Sequence, residues 1–409
     1  KYLLALFLII HLGLLGYFKY IDFLIRSINN IFNSNLKLLN VLLPIGISFY
    51  TFQIISYLID VYRGKIKAQD NFFNLATYVS LFPQLIAGPI VRYEDINDNL
   101  IKKDISLENV AVGIKRFTIG LGKKVLIANV LGSFCTSYLN SPDKSVVFSF
   151  FYMLCYTMQV FFDFAGYSDM AIGLGKILGF NFLENFNYPF ISKSITEFWQ
   201  RWHISLGSWF RDYVYIPLGG SRVNKYKLIR NILVVWILTG LWHGAAWNYI
   251  FFGLYHFTLI VLADLFSPVI LKILKLLHIN RNNFFYRLLE MFKTTVLVIF
   301  GELFFRAHGL QAGLSMFKKI FTTFNLNDFS ENILKLGLDK FDFRIIIVTL
   351  LIVLIISILK EKGINIREAI SKKPIYIRWT LYYALILFIV IFGAYGDGYI
   401  PVDPLYANF

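Results

Sequence analysis

The sequence is poor in charged residues and in cysteine. Only 16% of its 409 residues are charged, whereas 57% are hydrophobic; a soluble globular protein carries about a quarter charged residues. This imbalance excludes an ordinary soluble domain. It predicts a polytopic membrane protein, because several windows approach the roughly 18–20 apolar residues that cross a bilayer. No polar block separates the apolar segments, so we expect one membrane domain over residues 1–409.

Several catalytic signatures are missing as well. The two cysteines, Cys135 and Cys155, follow no metal-binding or redox spacing. No two of the six histidines are four residues apart, so we expect no metal site and no bound cofactor. No serine lies in a GxSxG elbow. Gly173, Gly175 and Gly179 miss the dinucleotide-binding spacing, and they are better explained by close helix packing.

Acidic residues are scarcer than basic ones. Lys and Arg number 40 against 25 Asp and Glu, a formal net charge of +15. Because the basic residues lie in short loops between apolar segments, they indicate positive-inside topology and contact with the lipid bilayer rather than with nucleic acid. The basic loops 222–230, 272–293 and 360–378 are separated by pairs of predicted helices, so all three are expected on the cytoplasmic side of a cell membrane.

Hydrophobic runs predict an all-α polytopic membrane protein with about 9–11 transmembrane or re-entrant helices enclosing a polar tunnel. The segment 72–91 is interrupted by Pro83 and by Gly88-Pro89, which suits a kinked or re-entrant segment lining a cavity. The predicted spanning or buried helices are Tyr2–Tyr20, Leu36–Val61, Phe72–Val91, Val146–Met170, Ile229–Tyr249, Ile250–Phe266, Thr294–Ala307, Phe343–Leu359 and Trp379–Tyr395.

A further helix is predicted over Leu107–Gly132. Its apolar residues follow helical spacing, but Lys123 and Lys124 interrupt the sequence. We therefore expect this helix to lie in the membrane interface, with its lysines reaching toward the bilayer surface. Asp163 and Asp169, near the end of an apolar segment, are candidates to line a cavity.

Two stretches place a histidine between tryptophans inside lipid-compatible sequence. They are residues 185–221, NFNYPFISKSITEFWQRWHISLGSWFRDYVYIPLGGS, with His203, and residues 239–247, TGLWHGAAW, with His243. Ionisable groups within apolar segments are functional-site candidates. We place His243 about 18 Å into its predicted helix, near mid-membrane, where a neutral imidazole can act as a general base. The glycine that follows would admit a ligand or a second backbone, while the competing interpretation is a core histidine hydrogen-bonded to a neighbouring helix.

Charged residues are concentrated in the first stretch. Glu197 and Arg201 are spaced to pair on one helix face. Arg201, Arg211 and Asp212 would be costly at depth unless they are paired or face water, which favours a polar cavity entering the membrane.

Aromatic residues surround these charges. Trp199 and His203 share the four-residue spacing, so the indole is predicted to stack on the imidazole. The density of Trp and Tyr also fits an aromatic belt that merely anchors an interfacial segment.

Five motifs resemble the membrane-bound O-acyltransferase family, and most closely its bacterial alginate O-acetyltransferase branch. The similarity runs from about Tyr17 to the end of the chain. Gln200 and Gly207 depart from the family pattern, which commonly has arginine and serine there. The motifs are QLIAGPIVRY (84–93), DFAGYSDMAIGLGKILGF (163–180), FWQRWHISLGSWFRDYVYIPLGGSR (198–222), LTGLWHGAAWNY (238–249) and FFRA (304–307).

The resemblance implies that His243 is the catalytic residue in a tunnel crossing the membrane, with His203 as its partner. An acyl thioester, acetyl-CoA or another, would enter from the cytoplasm, and a polysaccharide or cell-wall hydroxyl from outside, with an extracytoplasmic acetyltransferase taking the acyl group onward. His203 would orient substrate or polarise the thioester carbonyl. The chain begins at Lys1, and we expect native N-terminal helices to be missing. Predicted substrate contacts are Trp199, Arg201, Trp202, Arg211, Asp212, Tyr213, Trp242 and Asn185.

Two alternatives stay open at this stage. D-alanyl transfer to teichoic acid would use a carrier-protein thioester and would need a docking surface for that carrier. A multi-pass transporter would suit the broken helices and intramembrane charges, but it would need no bond-making step at His243 and should show two related halves.

Overall fold

A computed structural model describes residues 1–103, 105–140, 146–307, 309–322 and 338–395, and every regular element in these ranges is helical. The chain is therefore an all-α polytopic membrane protein. Within the described ranges, five helices are long and apolar enough to cross a membrane: Tyr2–Phe32, Leu107–Leu139, Trp247–Leu276, Lys340–Glu361 and Ile375–Phe392. The elements are α1 (Tyr2–Phe32), α2 (Ile47–Tyr62), α3 (Phe72–Ser80), α4 (Phe82–Leu85), α5 (Tyr93–Ile101), α6 (Leu107–Lys123), α7 (Asn129–Asn140), α8 (Val146–Ile177), α9 (Ile195–Arg201), α10 (Ile204–Phe210), α11 (Lys225–His243), α12 (Trp247–Leu276), α13 (Phe284–Arg306), α14 (Leu310–Thr322), α15 (Lys340–Glu361), α16 (Ile366–Ser371) and α17 (Ile375–Phe392).

The second helix begins later than predicted. We expected a helix over Leu36–Val61, but α2 starts at Ile47 and residues 34–44 form no regular element. Pro44 lacks an amide donor, and Gly46 takes a left-handed conformation with φ 74°. These two residues stop a helix from continuing across them. The prediction of one long helix is therefore wrong at its N-terminal end.

The broken segment is confirmed. The Asn71 side chain accepts hydrogen bonds from two amides of the first turn of α3, which ends at Ser80. Pro83 then lies in the first turn of the short α4. The chain beyond α4 is irregular but buried, and Val91 O accepts a hydrogen bond from the Tyr78 hydroxyl at 3.1 Å. Non-helical backbone covered by protein in this way is tolerated at membrane depth.

The segment that we predicted as an interfacial helix over 107–132 extends to Leu139 and is long and apolar enough to cross a membrane. Its first part, α6, packs closely against α8 through facing glycines. A Cβ added to Gly120 would lie 2.5 Å from Gly166 O, and one added to Gly113 would lie 2.6 Å from Gly173 O. Small residues let two membrane helices approach this closely, so the expected packing role of Gly173 is confirmed.

Three basic residues of α6 and of the π-helical turn that follows it pair with acidic residues. Lys123 Nζ lies 2.7 Å from Asp169 Oδ2, and Lys124 pairs with Asp163. Arg116 also hydrogen-bonds Asp169, at 2.6 Å. Opposite charges facing each other across a helix interface reduce the cost of burying both. Asp163 and Asp169 are thus held by ion pairs, which corrects the expectation that they line a cavity.

A short non-helical segment between α11 and α12 determines where His243 lies. We predicted helices over Ile229–Tyr249 and Ile250–Phe266, but α11 ends at His243 and α12 begins at Trp247. His243 is therefore the last residue of its helix and not a mid-helix residue. The hairpin is tight, because a Cβ on Gly240 would lie 2.4 Å from Tyr249 O and one on Gly253 would lie 2.2 Å from Trp236 O.

Candidate active site

The first histidine lies at a sharp turn between two short helices. Ser194 caps α9 by accepting from the Glu197 amide at 3.1 Å, and α9 ends at Arg201. His203 then adopts φ 45° and caps α10, a left-handed conformation that is uncommon for a non-glycine residue and worth a functional explanation. The Trp199 ring contacts the rings of His256 and Trp236, with centroids 4.8 Å and 5.1 Å away, so the predicted stacking of Trp199 on His203 is wrong.

The side-chain amide of Asn185 holds the His203 ring. His203 Nδ1 lies 3.0 Å from Asn185 Oδ1, which also accepts from the Ser205 hydroxyl at 2.9 Å and from the Ser205 amide at 3.3 Å. A backbone N–H can only donate, so this atom of Asn185 is the carbonyl oxygen and His203 Nδ1 must donate to it. In the neutral ring, Nε2 then carries the lone pair.

This hydrogen-bond network extends to the broken segment and to α8. Asn185 Nδ2 donates to Ser168 Oγ at 3.1 Å, and the Ile90 amide donates to Ser205 Oγ at 2.9 Å. Asn185, Ser168, Ser205 and His203 are all at most 2% exposed. The structure thereby gives Asn185 a clear place beside His203, where it orients the ring.

Trp242 lies between the two histidines. Its ring centroid is 5.4 Å from that of His203 and 5.0 Å from that of His243. The expected close approach at Gly244 is also present, because a Cβ there would lie 2.2 Å from the Tyr249 ring. The structure therefore brings both motif histidines and Trp242 into one buried cluster.

The first helix caps the end of α11. Lys19 Nζ donates to Trp242 O at 2.6 Å and to Ser48 Oγ at 2.8 Å, and the Tyr20 hydroxyl donates to Leu241 O at 2.7 Å. These carbonyls belong to the last turn, where intrahelical donors are missing, and a cation is favourable at that end of a helix. The donors that position His243 thus come from a π-helical turn at Gly16–Tyr20.

A small cavity adjoins His243. Its volume is about 10 Å³, roughly the room that one water molecule needs and far below the roughly 300–1,000 Å³ of a pocket that holds a whole ligand. Two predicted contacts, Trp199 and Trp202, line it. Its complete lining is Val160, Trp199, Trp202, His243, Phe252, Glu302 and Phe305.

A third histidine, His256, holds Trp199 in place at the side of the cavity. Trp199 Nε1 donates to His256 Nδ1 at 3.3 Å, and His256 is fully buried and stacks on Trp236. A Cβ on Gly301 would lie 2.5 Å from His256 Nε2. His256 therefore orients Trp199 from behind and does not line the cavity itself.

Arg201 points away from the cavity. The predicted pair with Glu197 is confirmed, with Arg201 Nη2 at 2.8 Å from Glu197 Oε1. The same nitrogen lies 3.3 Å from Glu361 Oε2, at the end of α15. Its charge is thus used in an ion-pair network that joins α9 to the predicted cytoplasmic loop 360–378.

Arg211, Asp212 and Tyr213 form a separate cluster. The Tyr213 hydroxyl donates to Asp60 Oδ2 at 2.5 Å, and Arg92 Nη1 lies 2.8 Å from Asp212 Oδ2. Burial alone would raise the pKa of Asp212, but hydrogen bonds from Arg211 and Arg92 outweigh it and lower that pKa.

The distance of this cluster from the histidines follows from α2. Ser48, which contacts Lys19, and Asp60, which contacts Tyr213, lie near opposite ends of that helix, about 18 Å apart at ~1.5 Å per residue. The structure therefore places Arg211, Asp212 and Tyr213 outside the histidine cluster, and their contact with a substrate stays a prediction.

The sequence analysis missed three side chains of this centre. Glu302, His256 and Lys19 all lie in apolar helices, and an ionisable residue in such a helix is itself a signal of function. Among the described residues, no group of three or more His, Cys, Asp or Glu could hold a metal ion.

Helices of membrane-spanning length and a buried histidine pair beside a cavity define a polytopic membrane protein with a candidate intramembrane reaction centre. Comparison with known proteins identifies its family, since the membrane-bound O-acyltransferase family profile matches residues 67–300. The chain belongs to this family.

Three relatives show the range of the similarity. The probable alginate O-acetylase of Pseudomonas aeruginosa is 43% identical over 323 residues, covering 78% of this chain and 60% of the relative. The peptidoglycan O-acetyltransferase of Helicobacter pylori is 35% identical over 345 residues, 77% of this chain and 64% of the relative. The teichoic acid D-alanyltransferase of Bacillus subtilis is 35% identical over 240 residues, 56% of this chain and 60% of the relative. The chain thus spans somewhat less than two thirds of the length of these relatives.

Proposed function

We propose that this chain carries the reaction centre of an O-acyltransferase that moves an acyl group, most simply acetyl, from a cytoplasmic thioester to a hydroxyl group. The observation that carries the proposal is His243, 3% exposed at the end of α11, facing a small cavity and close to a second, oriented histidine. A buried base beside a gap of roughly the size of a hydroxyl group or a water molecule suits removal of a proton from an acceptor.

The two histidines have different roles in this proposal. His243 removes the proton from the acceptor hydroxyl, whose oxygen attacks the thioester carbonyl carbon. The tetrahedral intermediate collapses, the carbon–sulfur bond breaks, and the thiolate takes the proton from His243. His203, with its lone pair on Nε2, accepts a hydrogen bond and orients a hydroxyl; in its neutral form that nitrogen has no proton with which to polarise a carbonyl. An alternative, in which His243 first accepts the acyl group, uses the same residues.

The substrates are inferred from the relatives. An alginate O-acetylase and a peptidoglycan O-acetyltransferase favour acetyl transfer to an extracellular polysaccharide or cell-wall polymer, with acetyl-CoA as donor, in the cell membrane. A separate extracytoplasmic acetyltransferase would complete the transfer. The D-alanyltransferase relative favours a second candidate, D-alanyl transfer from a carrier protein, and its match covers less of this chain. Membership of an acyltransferase family disfavours the transporter.

The test uses protein in lipid nanodiscs with radiolabelled acetyl-CoA, and alginate or peptidoglycan fragments as acceptor. His243→Ala should lower thiol release by about 10²–10⁴-fold, the usual contribution of a general base, with an unchanged melting temperature. His278→Ala, in the exposed loop after α12, is the matched control and should be fully active. Full activity of the His243 variant would remove this residue from the mechanism. If only a D-alanyl carrier thioester is consumed, the second candidate replaces the first.

A further inference from the structure

A carboxyl group shares the cavity with His243. Glu302 lies on α13 and is 3% exposed. Among the described residues that line the cavity, it is the one acidic residue. Its Oε2 atom is buried without a hydrogen-bond partner among the described residues. A buried polar atom that no neighbour satisfies needs a partner, and in a cavity of this size that partner is a water molecule or a single oxygen atom of a substrate.

The surroundings of Glu302 decide its charge state. The rest of the lining comprises the aromatic rings of Trp199, Trp202, Phe252 and Phe305, together with Val160 and His243. The nearest cation on the same helix, Arg306, lies over the Tyr156 ring at 5.8 Å. An unpaired carboxylate in such surroundings would lose its hydration with nothing to replace it, which strongly disfavours the charged form. Glu302 is therefore held as the neutral acid, and its O–H is a hydrogen-bond donor.

We propose that Glu302 is a catalytic residue whose protonated carboxyl donates a hydrogen bond to the carbonyl oxygen of an acyl thioester or ester bound beside His243. The proposal rests on the acyl-transfer function above. As the acceptor oxygen attacks, negative charge grows on the carbonyl oxygen, and the Glu302 O–H stabilises it. Glu302 keeps its proton throughout, while His243 carries the transferred proton from the hydroxyl to the departing thiolate.

Glu302 supplies a hydrogen-bond donor for the carbonyl oxygen, which neither His203 nor Arg201 provides. The orientation of His203 leaves its Nε2 as an acceptor, and Arg201 is engaged by Glu197 and Glu361. A preorganised donor aimed at the developing oxyanion is commonly the largest single contribution to such reactions. In the described cavity lining, Glu302 combines full burial with a proton that it can share with a substrate oxygen.

The experiment compares Glu302→Leu, Glu302→Gln and Thr294→Val in nanodiscs, with acetyl-CoA and the same alginate or peptidoglycan fragments as substrates and free thiol as the readout. Glu302→Leu should lower kcat by about 10²–10³-fold, the effect of removing one oxyanion donor, with little change in KM. Its melting temperature should stay equal or rise, because an apolar side chain replaces an unpaired buried polar one. Glu302→Gln keeps an N–H donor and should retain most of the activity. Thr294, buried on the same helix but outside the lining, should tolerate valine.

Each outcome bears on the proposal. Wild-type kcat in Glu302→Leu would overturn it, as would equal losses in Glu302→Gln and Glu302→Leu, because a simple donor role predicts rescue by the amide. An equal loss in Thr294→Val would assign the effect to packing of α13. If the wild type releases no thiol from acetyl-CoA or from a D-alanyl carrier thioester, the acyl-transfer function fails and the role of Glu302 with it. An active wild type with an unaffected Glu302→Leu variant overturns the Glu302 role alone.

Discussion

The stretch from Asn185 to Ser221 divides into two regions that are held together by different forces. Around His203, Asn185 and Ser205 are at most 2% exposed and are joined by neutral hydrogen bonds. Around Asp212, ion pairs dominate, and the Arg211 side chain is 61% exposed. A motif that is continuous in sequence therefore need not form one site. The region around His203 orients reactive groups, whereas the region around Asp212 holds the end of α10 against α2 and α5.

The largest effect is expected from Asn185→Leu, which breaks the first region. The ring of His203 loses its anchor, and the Ser205 hydroxyl and amide lose their acceptor, so we expect activity to fall on the order of 10²-fold, as when the group that orients a catalytic base is lost. Thiol release and the melting temperature are the measurements. Ser168→Ala removes only the outer hydrogen bond and should stay within about fivefold of the wild type. Equal activity of Asn185→Leu and the wild type would contradict the orienting role.

A smaller effect is expected from Lys19→Met, which loosens the cap of α11. The last turn before His243 loses a charged donor, and a small displacement of a catalytic group lowers the reaction rate. We therefore expect roughly tenfold lower activity. Tyr20→Phe removes the neighbouring hydrogen bond to Leu241 O and should have a weaker effect. The rates of the two variants in the same nanodisc assay check this order, and a larger loss in Tyr20→Phe would refute it.

In the second region, Tyr213→Phe should alter stability and not catalysis. Asp60 is 2% exposed and loses the hydroxyl that donates to its Oδ2. Leaving a buried acceptor unsatisfied costs about 1–3 kcal/mol, so the melting temperature should fall while the activity per folded molecule is retained. If kcat falls with unchanged stability, the separation of the two regions is wrong.

The smallest effect is expected from Arg211→Ala. Arg211 is exposed and pairs with its own neighbour, Asp212, which keeps its contact with Arg92. Exposed ion pairs contribute about 0–1 kcal/mol, so both stability and activity should be close to those of the wild type. A loss of activity above about tenfold, more than such a pair is worth, would return Arg211 to the substrate site where the sequence analysis placed it.

Local features were predicted well because their causes lie within a few residues. The Glu197–Arg201 pair follows from helical spacing, and the break near Pro83 follows from a missing amide donor. The end of α11 at His243 was missed because hydrophobicity continues smoothly through Trp247. The helix end depends on the close approach of Tyr249 to Gly244. Because apolar residues continue past His243, a hydrophobicity pattern does not show that end.

The sequence alone determined the membrane class, the helical architecture and the two histidines, because each is expressed in composition or in short motifs. Only the tertiary structure decided which residues surround those histidines. Lys19 and Trp242 are 223 residues apart, and Glu302 reaches the cavity from a different helix than His243. Contacts between distant helices depend on how whole helices pack, and single-sequence periodicity reports only which face of a helix is apolar. The proposed oxyanion donor therefore becomes visible only once α8, α9, α11, α12 and α13 pack around the cavity.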